Sequence, residues 1–383
     1  MEVIFLLGTA QAFFLSILVF NKKGKSDADF ILGTWLAFMG IHLLYYYLFS
    51  TGFLFRYPHL LGIGAAFPQL EAPFMFLYVA VMIRKDGSFK LTDLLHALPF
   101  LLFTVYFALT FYPLSAPEKL DFYNNIINGD VPLDVQIATF PNIAIGPIYI
   151  LLTLFRLSQH TKNISQSFSY TEKINLNWLK YVVGGLGFVW IIVVISNVLV
   201  RFPFLNITAH DHIIYLALTM SVFFLGYYGI KQQAIYSHEP TLDRKKTFTA
   251  PTRKKESVNQ YLHSGLKQEE AEKHALKVQE YFSSYKPFLN GKLSLSEVSG
   301  YMDISVNHLS QVINEQLGMS FFDFVNSYRV EEVKARLSDS KYENYTLLGI
   351  AFDSGFNSKS SFNSIFKRFT GFTPSQFASR INS

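Results

Sequence analysis

Cysteine is absent from the sequence, so disulfide bonds, thiolate metal sites and cysteine nucleophiles are excluded for these 383 residues. The sequence also contains no HExxH zinc motif, no phosphate-binding loop and no recognisable nucleophile motif. We therefore expect that the protein is not an enzyme and uses no cofactor or metal.

Charged residues are scarce as well. They make up 16% of the chain, whereas a soluble protein carries about 25%. Hydrophobic residues make up 50% and aromatic residues 17%. The deficit of charge lies in residues 1–232, and residues 233–383 have an ordinary soluble composition. This split predicts that the first part lies in lipid and the second in water.

The first part contains hydrophobic runs of the length that a bilayer requires, about 20 residues each. The first run lacks a basic leader and an Ala-x-Ala cleavage site, which favours a retained helix over a signal peptide. The sequence therefore predicts an all-α, seven-helix transmembrane domain over residues 1–232. Its predicted segments are Val3–Phe20, Phe30–Ser50, Leu60–Ile83, Leu94–Leu114, Gln136–Leu157, Trp178–Val200 and His212–Ile230.

Basic residues are distributed unequally between the two sides of this domain. The loops after the first, third and fifth segments carry ten Lys and Arg residues, against three in the loops after the second, fourth and sixth. Lys and Arg accumulate on the cytoplasmic side of membrane proteins. We therefore expect a multi-pass membrane protein with its N-terminus outside and its C-terminal domain in the cytoplasm.

Glu71 is the most conspicuous polar residue within the hydrophobic segments, because it lies between Pro68 and Pro73. Polar groups at this depth are unfavourable unless they are paired, and they often mark functional sites. Two interpretations stay open: these side chains hydrogen-bond helices together, or they line a ligand pocket. The candidate pocket residues are His42, Gln69, Glu71, Asn142 and Asn197.

His210, Asp211 and His212 form a short cluster before the last segment. Two imidazoles and one carboxylate could bind a metal, but a site without a further ligand is incomplete. We expect a solvated loop here and no metal.

Residues 233–269 show no sustained apolar period and predict a basic cytoplasmic linker. Between Lys231 and Tyr261 there are seven Lys and Arg against three Asp and Glu, a balance of +4. Such clusters contact anionic lipid or add nonspecific affinity for DNA phosphates. Contact with the bilayer is the interpretation that we prefer.

Residues 270–383 show two repeats of short amphipathic helices joined by a tight turn. In the first, Ser305 is the expected N-cap after the turn Asp303–Ser305. In the second, Ser358 is the expected N-cap after the turn Asp353–Gly355. The apolar period of residues Phe321–Leu337 predicts one long helix between them. Two short helices around such a turn are typical of a helix-turn-helix unit.

This region resembles the AraC-type DNA-binding domain. The resemblance rests on RVEEVKARL (329–337), GIAFDSGF (349–356), SFNSIFKRFTG (361–371) and Thr373-Pro374. It extends to the subset of the family in which seven membrane helices precede the domain, where LSQVINE (309–315) and FNSKSSF (356–362) are typical. The resemblance implies that the domain binds promoter DNA and that the membrane is the inner membrane of a bacterium.

Polar residues off the apolar stripe of each second helix are the candidates for DNA contact, since this helix enters the major groove. In the first unit these are Asn307, His308, Ser310 and Gln311; in the second they are Ser358, Lys359, Ser360, Asn363 and Ser364. Lys367 and Arg368 are expected to meet phosphates. The alternative for each position is a solvated helix face.

We therefore predict a membrane-bound one-component transcription regulator controlled by an unknown small-molecule or protein signal. From Ala275 onward, eleven Lys and Arg face ten Asp and Glu, a balance of only +1. Such a domain is expected to bind DNA weakly as a monomer and to gain from dimerisation or tethering. The alternative is a membrane receptor or transporter whose helical domain binds a protein partner.

Overall fold

The computed structural model describes residues 2–84, 86–170, 176–199, 207–236 and 268–381. These residues are helical, apart from turns and one isolated antiparallel bridge between Phe168 and Ser294. The all-α prediction is therefore confirmed for this part of the chain. Two compact units are present: an N-terminal unit of residues 1–158 and 176–246, and a C-terminal unit of residues 159–175 and 247–383.

The N-terminal unit is built from long helices joined by short helical turns. The turns are Phe53–Arg56, Pro58–Leu60, Ile63–Ala66 and Leu91–Ala97. Helix α7 enters the C-terminal unit at residue 159. The helices are α1 (Glu2–Phe20), α2 (Asp27–Ser50), α3 (Pro68–Ile83), α4 (Leu98–Thr110), α5 (Ala116–Ile127), α6 (Leu133–Thr139), α7 (Pro141–Ser167), α8 (Asn177–Leu199) and α9 (Ile207–Tyr236).

Six stretches among the described residues are long and apolar enough to cross a membrane. In the stretch of α9 whose side chains are described, Asp211–Leu225 is apolar but shorter. Seven membrane helices therefore stay a prediction. The six stretches are Glu2–Phe20, Asp27–Ser50, Pro58–Ile83, Leu91–Thr110, Leu133–Ser167 and Trp178–Ile195.

Helix α5 lies in the predicted loop between the fourth and fifth segments, whereas α6 runs from that loop into the predicted fifth segment, which begins at Gln136. Helix α5 begins with a capping box, in which the backbone N–H of Ser115 donates to Glu118 Oε2 at 2.7 Å. Ser-x-x-Glu is a signal for the start of a helix, and it does not depend on a long apolar run.

The core of the N-terminal unit forms around α2. Trp35, Met39 and Leu43 are each at most 1% exposed. Close packing with α1 depends on glycine: a Cβ on Gly33 would lie 2.8 Å from the Phe20 ring. Helix α2 thus presents a continuous buried face to its neighbours.

The C-terminal unit contains the two predicted helix-turn-helix units. Helices α11 and α12 form the first unit, and α14 and α15 form the second. The helices are α10 (Gln268–Tyr285), α11 (Leu295–Met302), α12 (Val306–Gln311, continued as a π turn over Val312–Gln316), α13 (Phe321–Leu337), α14 (Leu347–Asp353), α15 (Lys359–Thr370) and α16 (Pro374–Ile381). Short 3₁₀ turns cover Pro287–Leu289 and Ser340–Tyr342.

Helix α13 belongs to both apolar cores of this unit. Phe324 and Val325 pack in the core of the first helix-turn-helix unit. Val330 and Val333 pack in the core of the second. The helix that the apolar period predicted over Phe321–Leu337 is therefore the element that joins the two units.

Candidate functional site

The first recognition helix, α12, starts where the sequence predicted. Ser305 is its N-cap, and Ser305 Oγ accepts a hydrogen bond from the backbone N–H of His308 at 3.1 Å. Leu309 and Ile313 are fully buried and attach the helix to the core. The side chain of Asn307 is consequently turned outward and exposed.

The other predicted contact residues of α12 are less accessible. His308 and Ser310 are half-buried. Gln311 is only 7% exposed, and its Nε2 donates to Glu315 Oε2 at 2.8 Å. Among the candidates on α12, Asn307 is therefore the side chain best placed to reach a base.

The second recognition helix, α15, is strongly amphipathic. Ser358 caps it by accepting from the backbone N–H of Ser361 at 3.2 Å, and Gly371 ends it with φ +79°. The buried side consists of Phe362, Ile365 and Phe366. The opposite side is exposed and carries Lys359, Ser360, Asn363, Ser364 and Lys367.

Arg368 is also exposed, but its guanidinium already has a partner. Its Nη2 donates to Asp323 Oδ1 near the start of α13, and the group lies 5.2 Å from the centre of the Phe369 ring. Arg368 therefore joins α15 to α13, and a phosphate would have to compete with this carboxylate.

Arg329 on α13 holds the junction between the two helix-turn-helix units. Its side chain is 1% exposed, and Nε and Nη2 donate to the backbone carbonyls of Phe288 and Asn290, both at 2.8 Å. Gly355, in the turn of the second unit, lies against the same segment: a Cβ there would meet the Phe288 carbonyl at 2.2 Å.

In the sequence, Arg329 stands out only as the first residue of RVEEVKARL (329–337). The signal for its buried role is its spacing, because it stands four residues after Val325 and four before Val333, on one helix face.

Glu332, also on α13, forms two ion pairs. Its carboxylate accepts from Lys286 Nζ at 2.8 Å and from Arg336 Nε at 2.9 Å. Burial raises the pKa of Glu332, but these hydrogen bonds and charges outweigh it and hold the pKa below its usual value. The ionised carboxylate thus helps to fix α13 against the end of α10.

In the N-terminal unit, two of the predicted pocket residues come together. Glu71 Oε1 lies 2.9 Å from His42 Nδ1, and Glu71 Oε2 accepts from Trp35 Nε1 at 2.9 Å. His42 Nε2 lies 3.0 Å from Tyr215 Oη. A buried polar chain thus connects α2, α3 and α9.

The remaining predicted pocket residues are placed differently. Gln69 is fully buried, and neither of its amide atoms has a hydrogen-bond partner among the described residues. Asn142 Nδ2 donates to the Ala65 carbonyl at 3.3 Å, whereas its buried Oδ1 has no partner there. The side chain of Asn197 lies outside the part of the chain that the structure describes.

A cavity of about 260 Å³ lies beside the Glu71 chain. Its walls include Trp35, His42, Glu71, Asn142, Trp190 and Tyr215. The volume is just below the usual range for ligand pockets, so the cavity suits a small molecule. The hydrogen-bonding and ligand-binding interpretations of Glu71 are thus both compatible with this geometry.

The expectation of a solvated loop at His210–His212 is wrong. The residues lie in helix α9, and His212 Nδ1 is 3.1 Å from Tyr46 Oη. The helix begins at Ile207, earlier than the hydrophobic run suggested. No group of three metal-ligating side chains occurs within the described ranges.

Comparison with known proteins finds a similarity at the C-terminal end of the chain. Residues 298–380 match a family described as a helix-turn-helix domain. Two uncharacterised HTH-type transcriptional regulators of Staphylococcus aureus, from strains COL and MW2, are 44% identical over 85 residues, which cover 22% of this chain and 11% of each relative. The melibiose operon regulatory protein of Escherichia coli (strain K12) is 26% identical over 85 residues, which cover 22% of this chain and 27% of that protein.

The chain spans about a tenth of the length of the staphylococcal relatives that it matches. No solved structure matches the chain.

Proposed function

We propose that the protein is a membrane-bound transcription regulator that binds promoter DNA through the two recognition helices of its C-terminal unit. The observation that carries this proposal is the pairing of two N-capped helices, α12 and α15, on one shared helix, α13. The similarity of residues 298–380 to a helix-turn-helix domain supports it. Such a domain acts by binding DNA and needs no catalytic group.

Each recognition helix enters the major groove with its N-terminal part, and two such helices reach groove segments about 34 Å apart. Asn307 and Asn363 are exposed amides, which can form two hydrogen bonds with adenine. Lys359 can donate to guanine. Ser358, Ser360 and Ser364 complete the DNA-facing side of α15, and Lys367 contacts a phosphate. In this proposal His308, Ser310 and Gln311 support α12 and reach DNA only if the helix rearranges.

The N-terminal unit anchors the regulator in the inner membrane. Six apolar stretches support this role, with α9 as the seventh membrane helix. The excess of Lys and Arg in alternate loops supports an orientation with the N-terminus outside and the DNA-binding unit in the cytoplasm. Residues 233–269 lead from the bilayer to that unit; apart from residues 233–236 and 268–269, they lie outside the described part of the chain.

The membrane unit also senses the signal. The cavity beside Glu71 supports this role. A ligand shifts a conformational equilibrium only if it binds one of the two states more tightly than the other. A cavity whose shape differs between the two states would bind the ligand unequally. Dimerisation would raise the affinity of a DNA-binding domain that is nearly neutral.

The test is chromatin immunoprecipitation of the intact protein, compared with the double variant Asn307→Ala, Asn363→Ala. We expect enriched promoters for the original chain and about tenfold or greater loss of enrichment for the variant, because each amide–adenine pair contributes about 1–3 kcal/mol. Asn344→Ala is the matched control, since Asn344 is exposed in a loop outside both recognition helices.

Equal enrichment of the double variant and the original chain would contradict DNA reading by these helices. Gln311→Ala tests the buried amide separately. If this variant keeps its fold but loses promoter enrichment, Gln311 contacts DNA as the sequence predicted.

A further inference from the structure

Residues 168–170, here called the docking segment, lie between α7 and α8 in the sequence but belong to the C-terminal unit. Ser169, at the centre of the segment, is 1% exposed. Its backbone N–H and its Oγ donate to the Leu293 carbonyl at 3.1 and 2.7 Å. Phe168 forms the antiparallel bridge with Ser294, the N-cap of α11. The docking segment thus pairs with the residues that lead into the first helix-turn-helix unit.

Arg329 and Asn326, both on α13, hold Ser169 from the other side. Arg329 Nη1 donates to the Ser169 carbonyl at 3.0 Å, and Nη2 donates to Ser169 Oγ at 3.1 Å. Asn326 Nδ2 donates to the same carbonyl at 3.2 Å. The backbone N–H, the backbone carbonyl and the hydroxyl of Ser169 are therefore all hydrogen-bonded inside the C-terminal unit.

The guanidinium of Arg329 depends on these contacts. A guanidinium has five N–H groups, and here five hydrogen bonds arise from them. Two go to Ser169, two go to the carbonyls of Phe288 and Asn290, and one goes from Nη1 to Asn326 Oδ1. The loss of an acceptor is costly for a buried donor, because water does not replace it. Withdrawal of the docking segment would remove two acceptors from a buried cation.

The loop 288–293 contacts the docking segment and both helix-turn-helix units. Its Leu293 packs in the core of the first unit. Its Gly291 carbonyl accepts from Asn357 Nδ2 of the second unit, just before α15, at 2.6 Å. Arg329 binds the loop from α13, the helix that the two units share. The docking segment therefore supports the loop against which the second recognition helix begins.

We infer that the docking segment sets the spacing and orientation of the two recognition helices, with Ser169 and Arg329 as positioning residues. Both side chains are buried, so they act through the loop 288–293 and not by contact with DNA. Two helices that read successive groove segments bind together only if their spacing matches that of the grooves. The inference rests on the proposed DNA binding.

The position of the docking segment in the sequence gives this role a further consequence. The apolar stretches Leu133–Ser167 and Trp178–Ile195 flank it. Most of α7, which leads directly into it, belongs to the N-terminal unit. The docking segment is therefore a covalent connection from the N-terminal unit to the junction between the recognition helices.

A purely structural role of these hydrogen bonds predicts a different result from a positioning role. If the docking segment only stabilises the C-terminal unit, its loss weakens binding to every DNA site equally. If it positions the recognition helices, its loss weakens binding to sites with two groove segments and spares sites with one. The experiments below separate these two roles.

Because the chain has no cysteine, a disulfide can test the docking contact. Residues in an antiparallel bridge have Cα atoms about 4.5–5.5 Å apart, within disulfide range. We expect the full-length variant Phe168→Cys, Ser294→Cys to cross-link in membranes under mild oxidation. The control pair Phe168→Cys, Tyr301→Cys should stay reduced, because Tyr301 lies about 10 Å from Ser294 along α11. Equal yields for the two pairs would show that the segment does not dock.

The spacing itself is measured by electron paramagnetic resonance on the full-length protein in lipid nanodiscs. Spin labels on Asn307→Cys and Asn363→Cys, exposed positions of α12 and α15, report the distance between the recognition helices. We expect one narrow distance distribution, which Ser169→Ala broadens or shifts, since alanine lacks the hydroxyl that forms two of the hydrogen bonds.

Ser379→Ala is the matched control for this measurement, because Ser379 is exposed in α16. It should leave the distance distribution unchanged. An unchanged distribution in Ser169→Ala would overturn the inference, whether or not the protein binds DNA.

The effect on binding is measured with DNA that the intact protein selects from a random library. We expect Ser169→Ala to weaken binding about tenfold for a site with both groove segments and less than about twofold for a single segment. The reason is that each recognition helix stays intact and only their relation changes. Ser379→Ala should bind both DNAs like the original chain. An equal loss for both DNAs, or no loss for either, would overturn the inference.

Failure of the inference and failure of the proposed function give different results. If the intact protein selects no DNA, the proposed function fails, while the disulfide and the distance distribution still decide whether the docking segment positions the helices. If DNA is selected and Ser169→Ala binds it like the original chain, the inference fails and the proposed function stands.

Discussion

At the scale of single residues, the C-terminal unit depends on a few positions where the backbone comes unusually close to other atoms. Gly355 is one, since it has φ +92° and faces the Phe288 carbonyl and the guanidinium of Arg329. Gly318 also has a positive φ, of +67°, but nothing lies within 4 Å of its would-be Cβ. Substitution of these two glycines therefore distinguishes the effect of backbone strain alone from the effect of strain combined with a steric clash.

We predict that Gly355→Ala destabilises the C-terminal unit by about 2–4 kcal/mol, because strain and a clash add, whereas Gly318→Ala costs about 1 kcal/mol, since strain acts alone. Hydrogen exchange in α13 and α15 of the full-length protein measures both. Similar losses for the two variants would show that the close approach at Gly355 is unimportant.

Glu332 leads to a prediction on pH. Because its pKa is lower in the folded unit than its usual value of 4.5, the ionised form stabilises the fold above that value, and this contribution is lost as the pH falls below it. We expect the protection of amides around α10 and α13, taken relative to the intrinsic exchange rate at each pH, to fall between about pH 5 and pH 3. Glu332→Gln should reduce this dependence, and Glu343→Gln, at an exposed position, should retain it.

At the scale of elements, local chemistry determines where the recognition helices begin. Ser305 and Ser358 were predicted as N-caps from the sequence, and both predictions are confirmed. The π turn over Val312–Gln316 was not predicted, because one wide turn leaves no periodic signal. The burial of Gln311, just before this turn, was not foreseen either.

We predict that Ser358→Ala destabilises α15 by about 1 kcal/mol, since the backbone N–H of Ser361 loses its acceptor. Ser364→Ala, on the exposed side of the same helix, should change its stability by less than about 0.5 kcal/mol. Hydrogen exchange over Lys359–Thr370 distinguishes them. Equal protection in both variants would rule out Ser358 as an effective cap.

At the scale of the whole molecule, the proposed topology can be tested with single cysteines, because the chain has none. Asn128→Cys lies after α5, on the side predicted to face outward, and Ser379→Cys lies in the last helix, α16. We expect an impermeant maleimide to label Asn128→Cys in intact cells and Ser379→Cys only after lysis. The reverse pattern would invert the topology and would separate the C-terminal unit from DNA.

The sequence by itself determined the helices and caps of the C-terminal unit, including the bounds of Phe321–Leu337, because apolar period and capping are local properties. It also singled out Glu71 and His42 by their polarity within apolar runs. Only the tertiary structure decided that Glu71 pairs with both His42 and Trp35 beside a cavity, and that Ser169 meets Arg329, 160 positions away. Such contacts depend on how separate helices pack, and no periodicity along one chain segment encodes which distant residue will be the partner.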